Sequence, residues 1–247
     1  MPNKYLSYDD ERGPKVRAMF SRLAARYDLL NDVMSLGLHR RWKRDAVDLA
    51  LAGRTGPVRV LDLCCGTGDL AFLASALAGT GSRVFGLDFT LPMLGVARER
   101  RTAAAASPAF AQGDAMRLPF PAASFDAVTM GYGLRNVADP LACLKEVRRV
   151  LAPGGRVVVL DFGKPSNPVA RSLYGGFLMG AMPVVGWLAH GDPDTYRYIP
   201  ESLERYPAQR GVRDLMERAG LSSARYEDRM FGTMGLNVGE APGRSPL

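Results

Sequence analysis

Apolar runs of strand length alternate with helical patterns through the middle of this 247-residue chain. Strands are predicted near residues 58–63, 83–88, 109–113, 125–131 and 155–162, and helices near 68–78, 92–103 and 139–151. Strands that alternate with helices form a parallel sheet that is covered by helices on both faces. The alternation therefore predicts an α/β fold with a doubly wound, mostly parallel, Rossmann-like sheet.

The two ends of the chain and one internal segment depart from this alternation. Residues 1–52 are predicted as an N-terminal helical cap, because apolar residues such as Val16, Met19 and Leu23 recur at helical spacing. Residues 53–240 are predicted as the main domain, with a partly helical insertion at 163–206 that is rich in Gly, Pro and apolar residues. A helix near 208–219 and one or two strands near 224–238 follow, and 241–247 is predicted as a disordered tail.

The composition excludes several classes of protein. No apolar stretch reaches the roughly 18 residues that span a bilayer, and the N-terminus lacks the apolar core of a signal peptide, so a cytoplasmic protein is predicted. Cys64 and Cys65 are adjacent and Cys143 stands alone, which argues against a disulfide framework. With only His39 and His190 available, no zinc-binding spacing exists, and no metal is expected.

A glycine-rich turn, VLDLCCGTGDLA, joins the first predicted strand to a helix at residues 60–71. Its Gly66, Gly68 and Ala71 fit the spacing G-x-G-x-x-G/A, which in a strand–turn–helix unit is typical of dinucleotide binding. The same turn also suits S-adenosylmethionine, so the residues around it must decide.

Carboxylates occupy the ends of the predicted strands. Asp88 ends the second strand, where it can accept two hydrogen bonds from a ribose diol or cap the next helix. Asp114 follows the third strand, where it can accept from an adenine amine. Asp62 and Asp69 flank the glycine turn, and two negative groups there favour a cationic sulfonium over a pyrophosphate.

Four further segments, in order over most of the chain, make the pattern more specific. They are FSRLAARYDLLNDVMSLGLHRRWKR (20–44), GYGLRNVADP (131–140), RVLAPGGRVVVLDFGKP (149–165) and DPDTYRYIPESLERYPAQ (192–209). With the glycine turn and the acids, they resemble the class I S-adenosylmethionine-dependent methyltransferases, and more closely the ubiquinone/menaquinone biosynthesis C-methyltransferase family.

The resemblance implies S-adenosyl-L-methionine as the cofactor. Together with the glycine turn, it gives the predicted cofactor-binding residues Asp62, Gly66, Thr67, Gly68, Asp88, Asp114, Ala115 and Gly131. Relatives often carry serine at the position of Gly131 and glycine at that of Cys65, which predicts a tight φ at Cys65. The segment MFGTMGLNVGEAP (230–242) departs from the usual family ending, so the last strand is less well defined by the resemblance.

The resemblance further implies methylation of a ring carbon of an isoprenoid quinol, converting demethylmenaquinol to menaquinol. The 2-methoxy-6-polyprenylbenzoquinol of ubiquinone biosynthesis and another small-molecule or RNA substrate are the alternatives. Sulfonium and phenolate charges cancel in such a reaction, so a dry pocket favours it.

Residues after the fourth predicted strand are the main catalytic candidates. Arg135 and Asn136 lie where ligands meet the carboxyl edge of such a sheet, and Arg135 is predicted to stabilise a phenolate. His39 and Tyr196 are alternative acid–base candidates. The competing structural interpretations are a salt bridge from Arg135 to a carboxylate such as Asp139 and a solvated helix position for His39.

The net charge of +7 attracts anions without selecting among them. The basic run HRRWKR (39–44) fits a solvated helix face, and no nucleic acid is expected because Trp42 is a lone aromatic there. An isoprenoid substrate favours weak peripheral association with the inner face of the membrane, helped by this run and the apolar insertion. For Leu173, Tyr174, Phe177, Leu178, Met182, Val185 and Trp187 in that insertion, core packing and tail binding both stay open.

Two other functions are compatible with parts of the pattern. An NAD-dependent oxidoreductase shares the glycine turn, but no Tyr-x-x-x-Lys pair follows the fourth strand. A non-catalytic S-adenosylmethionine-binding or RNA-binding module is compatible with the basic charge. A homodimer stays open as well.

Overall fold

A computed structural model describes residues 12–24, 31–32, 35, 37–101, 107–181 and 194–243. Seven strands form one sheet in the order β3-β2-β1-β4-β5-β7-β6. They are β1 (Arg59–Leu63), β2 (Arg83–Asp88), β3 (Ala109–Gln112), β4 (Phe125–Gly131), β5 (Leu151–Phe162), β6 (Ser222–Arg229) and β7 (Met234–Glu240). Strands β1 to β5 pair in parallel, and β7 is antiparallel to both of its neighbours. The prediction of a mostly parallel α/β sheet is confirmed.

Eight helices surround the sheet in the described part of the chain. They are α1 (Arg12–Leu23), α2 (Leu38–Leu51), α3 (Asp69–Leu77), α4 (Leu91–Glu99), α5 (Pro140–Val150), α6 (Pro168–Gly176), α7 (Asp194–Arg205) and α8 (Ala208–Arg218). Local signals explain several of the starts: Asp139 and Asn167 cap α5 and α6 by accepting two backbone N–H groups each. Proline follows both caps, at a position where its missing N–H costs nothing.

Two apolar layers fix the helices on the sheet. One face packs against α5 and α8, and the buried residues Val16, Met19 and Leu23 of α1 belong to the same layer. The other face packs against α2 and α3 through Trp42, Val47 and neighbouring side chains. The α1 and α2 helices therefore lie on different layers of one molecule.

The fifth strand starts earlier than predicted, at Leu151 instead of residue 155. Leu151 pairs with Phe125, and the register resumes with Arg156 opposite Ala127 after an irregularity. Gly154 allows this with a φ of +71°, and its N–H donates to the carbonyl of Ala241. Ala241 is itself buried, so the ordered chain extends at least one residue past the predicted start of a disordered tail.

The insertion after β5 contains α6, a π-helical turn at Phe177–Ala181, and α7. Leu178 is buried and Tyr174 packs against the core, whereas Leu173 and Phe177 are exposed. Core packing is therefore found for Leu178 and Tyr174, and not for Leu173 and Phe177. Met182, Val185 and Trp187 lie outside the described residues.

Candidate cofactor site and active site

A cavity of about 770 Å³ lies at the carboxyl edge of the sheet, where β1, β2, β3 and β4 end. The strand order turns back between β1 and β4, which is where ligands bind in open α/β sheets. The α1 helix forms the opposite wall. Five of the predicted cofactor residues line the cavity: Gly66, Asp88, Asp114, Ala115 and Gly131.

Asp88 ties the glycine turn to the end of β2. Its carboxylate accepts hydrogen bonds from the N–H of Gly66 (2.9 Å) and the N–H of Thr90 (2.8 Å). Burial raises the pKa of Asp88, although these hydrogen bonds oppose the shift. Each carboxylate oxygen keeps lone pairs for ligand hydroxyls, so Asp88 can serve the turn and a ribose together.

Asp114 lines the cavity from the turn after β3. Its Oδ1 accepts from the N–H of Met116 (2.9 Å), and the rest of its carboxylate is exposed. Leu87, Phe89 and Met93 line the same cavity with apolar side chains. This combination of apolar wall with two carboxylate acceptors suits a nucleoside.

Asp62, predicted to contact the cofactor, points away from the cavity. It is 1 % exposed and accepts hydrogen bonds from the N–H of Ala71 (3.0 Å) and the hydroxyl of Thr129 (2.9 Å). Burial raises the pKa of Asp62 to about 7. Asp62 therefore braces β1 against α3 and β4 and does not line the cavity.

Asp69 also departs from the predicted role. Its carboxylate pairs with Lys43 Nζ (2.6 Å) and Arg100 Nη2 (2.7 Å), two cations from α2 and the end of α4. Burial would raise the pKa of Asp69, but the two cations outweigh it and hold that pKa below its usual value. Neither Asp62 nor Asp69 is among the described residues that line the cavity, so their joint contact with a cationic ligand stays a prediction.

Thr67 and Gly68 shape the glycine turn without lining the cavity. Thr67 is buried, and its carbonyl accepts from Arg100 Nη1 (2.9 Å). Gly68 precedes α3 with a φ of +90°, and a Cβ there would lie 2.9 Å from the Phe110 ring. Both residues therefore act on the conformation of the turn.

The cysteines also differ from prediction. The positive φ occurs at Cys64 (+56°). The N–H of Cys65 instead donates a hydrogen bond to the Leu87 carbonyl (3.1 Å). Cys64 lines the cavity, and a Cβ on Gly133 would lie 2.6 Å from its Cβ. Burial raises the pKa of both thiols well above the usual value, so neither is a nucleophile at neutral pH.

The turn after β4 carries Arg135 and Asn136 in a short 3-10 helix, Leu134–Asn136. The Tyr132 carbonyl accepts from Asn136 Nδ2 (2.9 Å) and Arg135 Nη1 (3.3 Å). Asn136 lines the cavity, and its Oδ1 accepts from the Tyr198 hydroxyl (2.9 Å) of the insertion. The insertion thus fixes the orientation of a side chain at the cavity wall.

Arg135 lies behind this turn, outside the cavity lining. Its Nη1 pairs with Asp161 Oδ1 at 2.7 Å, both side chains are buried, and the guanidinium stacks over Phe162. Asp139, the carboxylate given as an example of a partner, caps α5 instead. The interpretation of Arg135 as a salt-bridge residue is confirmed, and its partner is Asp161.

Comparison with known proteins agrees with this geometry. Residues 7–240 match the model of the ubiE/COQ5 methyltransferase family. The chain belongs to the ubiE/COQ5 methyltransferase family. It is 46% identical over 224 residues to the demethylmenaquinone methyltransferase of Thermus thermophilus, covering 91% of this chain and 100% of the relative. It is 40% identical to the ubiquinone/menaquinone biosynthesis C-methyltransferase UbiE of Cellvibrio japonicus, with 94% of each chain covered.

Solved structures show the same fold at low sequence identity. A chain from the complex of Haloferax volcanii Trm112 methyltransferase activator with a methyltransferase has a TM-score of 0.64 at 22% identity, covering 94% of this chain and all (100%) of that chain. Phosphoethanolamine N-methyltransferase 2 of Haemonchus contortus, solved with S-adenosyl-L-methionine, has a TM-score of 0.59 at 16% identity, covering 82% and 52%. These structures share the fold of the chain, and its membership of the ubiE/COQ5 family makes it an S-adenosylmethionine-dependent methyltransferase.

The cavity of this family member fits its cofactor. Gly131 has no room for a side chain, since a Cβ there would lie 2.7 Å from Leu70 Cδ1. The serine that relatives often carry at this position would require Leu70 to move. The backbone of the β4 turn thus forms part of the cavity wall, together with the apolar side chains and the carboxylates of Asp88 and Asp114.

The two alternative acid–base candidates lie elsewhere in the enzyme. His39 is 3 % exposed, outside the cavity lining, with Nε2 3.2 Å from Asp32 Oδ1. Burial and the nearby Lys43 charge lower the pKa of His39 to about 4, so its ring is neutral at neutral pH beside the Asp32 carboxylate. The interpretation of His39 as a solvated helix residue is therefore wrong. Tyr196 lies on α7, and its side chain is outside the described part of the chain.

Sequence patterns did not identify the α1 residues that face the cavity. Gly13, Arg17 and Ser21 line it at spacings of one helical turn, opposite the buried apolar face of the same helix. The apolar periodicity located the buried face of α1. The residues between those apolar positions form the cavity face, and their pattern resembles that of an ordinary solvated helix face.

The burial of Asp62 predicts a distinct pH dependence of stability. A carboxyl that titrates near 7 when folded and near 4 when unfolded makes the free energy of unfolding fall as pH rises between these values. Asp62→Asn keeps an acceptor for Ala71 and removes the buried charge. We expect it to match the wild type near pH 4 and to exceed it by about 2–4 kcal/mol above pH 7 in urea unfolding.

The same variant tests where Asp62 points. Because its carboxylate lies outside the cavity, Asp62→Asn should leave the affinity for S-adenosylhomocysteine unchanged in calorimetric titration. A loss of affinity would return Asp62 to the cofactor-binding residues. Asp62→Ala, which leaves the N–H of Ala71 without its acceptor, serves as the destabilised control.

Proposed function

We propose that the chain methylates a ring carbon of an isoprenoid quinol, with demethylmenaquinol as the acceptor. The main support is the Thermus thermophilus demethylmenaquinone methyltransferase, which matches this chain at 46% identity along its whole length. The UbiE relatives, whose name covers both ubiquinone and menaquinone, are 38–40% identical. The benzoquinol of ubiquinone biosynthesis is therefore the second acceptor to test.

Asp88, Asp114 and Ala115 are proposed to hold the adenosine half of the cofactor, with Gly66 and Gly131 as backbone walls. When bound, S-adenosylmethionine supplies an electrophilic methyl group on a cationic sulfur. Deprotonating a ring hydroxyl of the acceptor makes the adjacent carbon nucleophilic, and the ring later loses a proton to become aromatic again. The apolar walls and the α1 cover exclude water, which favours a step in which opposite charges cancel.

Asn136 is proposed to orient the acceptor, because it lines the cavity in a fixed orientation. Its amide is held at both ends by the Tyr132 carbonyl and the Tyr198 hydroxyl. Orientation of two reactants contributes more to such a reaction than any single charged group.

Arg135 is proposed to act through the turn. The Asp161 pair neutralises its charge, and its contact with the Tyr132 carbonyl holds the backbone beside Asn136. Direct stabilisation of a phenolate by Arg135, as expected from sequence, would require this pair to open. Arg135 is therefore a positioning residue in this proposal.

Methyl transfer from labelled S-adenosylmethionine tests the proposed function. The purified enzyme is given short-tailed demethylmenaquinol, demethylated benzoquinol or bulk RNA, and lipid and aqueous phases are counted separately. We expect label in the lipid phase with the naphthoquinol. Label only with the benzoquinol would move the enzyme to the ubiquinone pathway, and label only in RNA would refute quinol methylation. In cells, loss of the gene should accumulate menaquinone one methyl short.

We also propose that the insertion binds weakly to the inner face of the membrane. Val169, Leu173 and Phe177 repeat every four residues along α6 and its continuation, and Leu173 and Met179 are 72% and 70% exposed. We call these four residues the α6 apolar stripe. The helix begins just after β5, at the sheet edge that carries the cavity, and Lys164 and Arg171 lie at its base. No helix in the described part of the chain is long and apolar enough to span a bilayer.

The basic run at 39–44 contributes less to membrane binding than its sequence predicts. Lys43 is buried against Asp69, Arg40 pairs with Asp32, and Arg44 lies 3.8 Å from Asp48. Most of its charge is thereby neutralised within the protein. The α6 apolar stripe therefore carries the proposal.

Flotation with anionic vesicles at low salt tests this association. We expect the wild type to float in part and a Leu173→Ser, Met179→Ser double variant to stay in the dense fraction, because the stripe loses two apolar contacts. Leu38→Ser, which removes an exposed leucine from α2, is the matched control and should float as the wild type does. Absence of wild-type flotation would remove the proposal.

A further inference from the structure

The α1 helix brings one cation to the cofactor cavity. Gly13, Arg17 and Ser21 form its cavity face, while Val16 and Met19 anchor the helix in the core. Among the described residues that line the cavity, Arg17 is the only one with a positive charge, and Asp88 and Asp114 are the only ones with a negative charge.

The guanidinium of Arg17 contacts an aromatic ring, but no carboxylate among the described residues pairs with its charge. It lies over the Phe89 ring, 5.4 Å from the centroid. Within the described residues it has neither an ion pair nor a side-chain hydrogen bond, in contrast to Arg100 and Arg135. Its donors are therefore available to a bound anion.

The cofactor carries one anionic group, the α-carboxylate of its methionine half. Asp88 and Asp114 suit its hydroxyl and amino groups and repel that carboxylate. The glycine turn offers few donors, because the N–H of Gly66 is bound to Asp88 and that of Gly68 to the Cys65 carbonyl. A guanidinium matches a carboxylate with two parallel hydrogen bonds.

We propose that Arg17 binds the α-carboxylate of S-adenosylmethionine. This inference depends on the cavity being the cofactor site. It makes α1 part of the binding site itself, so the helix closes over the cofactor through a charge contact as well as through apolar packing.

Ligand truncation combined with residue truncation tests the proposal. Calorimetry measures the affinity of wild type and Arg17→Gln for S-adenosylhomocysteine and for 5′-methylthioadenosine, which lacks the amino acid. We expect Arg17→Gln to lose about 10- to 100-fold for S-adenosylhomocysteine and to bind methylthioadenosine as the wild type does. Arg17→Lys, which keeps the charge without the paired donors, should recover part of the loss.

Control measurements distinguish failure of the Arg17 proposal from failure of the cofactor assignment and from misfolding. Arg22→Gln removes an exposed arginine of the same helix from outside the cavity and should change neither affinity. Equal losses for both ligands in Arg17→Gln would place Arg17 on the adenosine half, and no loss would remove it from the site; either result overturns the proposal. A wild-type chain that binds neither ligand would instead refute the cofactor assignment of the cavity. Circular dichroism of both Arg17 variants shows whether a loss of affinity is due to misfolding. If Arg17→Gln misfolds, the affinities of Arg17→Lys for the two ligands test the proposal.

Discussion

Replacing Asp161 with alanine is expected to lower the free energy of unfolding by about 3–5 kcal/mol, the usual cost of leaving a buried charge without its partner. Arg135 and Asp161 are 6% and 3% exposed, and 2.7 Å separates their charged atoms. Asp161 also accepts the backbone N–H of Arg135 and that of Phe162. Its loss would therefore loosen the β4 turn at the cavity wall as well as the core.

Chemical denaturation of three further variants checks this. Asp139→Ala removes an exposed helix cap in the same region and should cost only about 1 kcal/mol. An Arg135→Met, Asp161→Leu double variant, which removes both charges, should recover much of the stability. Arg135→Met alone leaves a buried carboxylate and should be as damaging as Asp161→Ala. A single variant as stable as Asp139→Ala would show that water reaches the pair.

Replacing Asp88 with alanine is expected to reduce the affinity for S-adenosylhomocysteine by 100-fold or more, on the order of two lost hydrogen bonds to a charged group. The substitution removes the acceptors proposed for the ribose. It also releases the N–H groups of Gly66 and Thr90, so the glycine turn loses its tie to β2. Affinity for methylthioadenosine should fall equally, since that ligand keeps the ribose.

Asp126 provides the control for Asp88. It lies at the opposite edge of the sheet, where it accepts from the N–H and the side chain of Arg59. Asp126→Asn should leave both affinities unchanged in the same titrations. If Asp88→Ala bound both ligands as tightly as Asp126→Asn, Asp88 would be a structural tie only.

The sequence located the sheet more accurately than the site. Strands β2 and β4 match their predicted bounds, because apolar runs with polar flanks mark a buried strand directly. The start of β5 differs from the prediction, since Ala152 to Gly155 has turn composition and forms the irregularity between the paired residues Leu151 and Arg156. Local composition does not report pairing with a distant strand.

Side-chain direction limited the prediction of the site. Asp62 and Asp88 both lie near the carboxyl ends of strands with apolar runs, but one faces α3 and the other faces the cavity. The partner of Arg135 is 26 residues away on the neighbouring strand, and no periodicity relates the two positions. Arg17 was overlooked because a charged residue between apolar helix positions resembles an ordinary solvated one. Such choices depend on tertiary packing, which position along the chain does not specify.

The close approach of Cys64 and Gly133 joins the two halves of the cavity. Cys64 belongs to the turn proposed to face the cofactor and Gly133 to the turn proposed to face the acceptor, and a Cβ at 133 would lie 2.6 Å from that of Cys64. A larger side chain at either position therefore requires a smaller side chain at the other. Redesign toward a different acceptor ring would therefore proceed by compensating exchanges at this pair, and donor and acceptor preferences would evolve together.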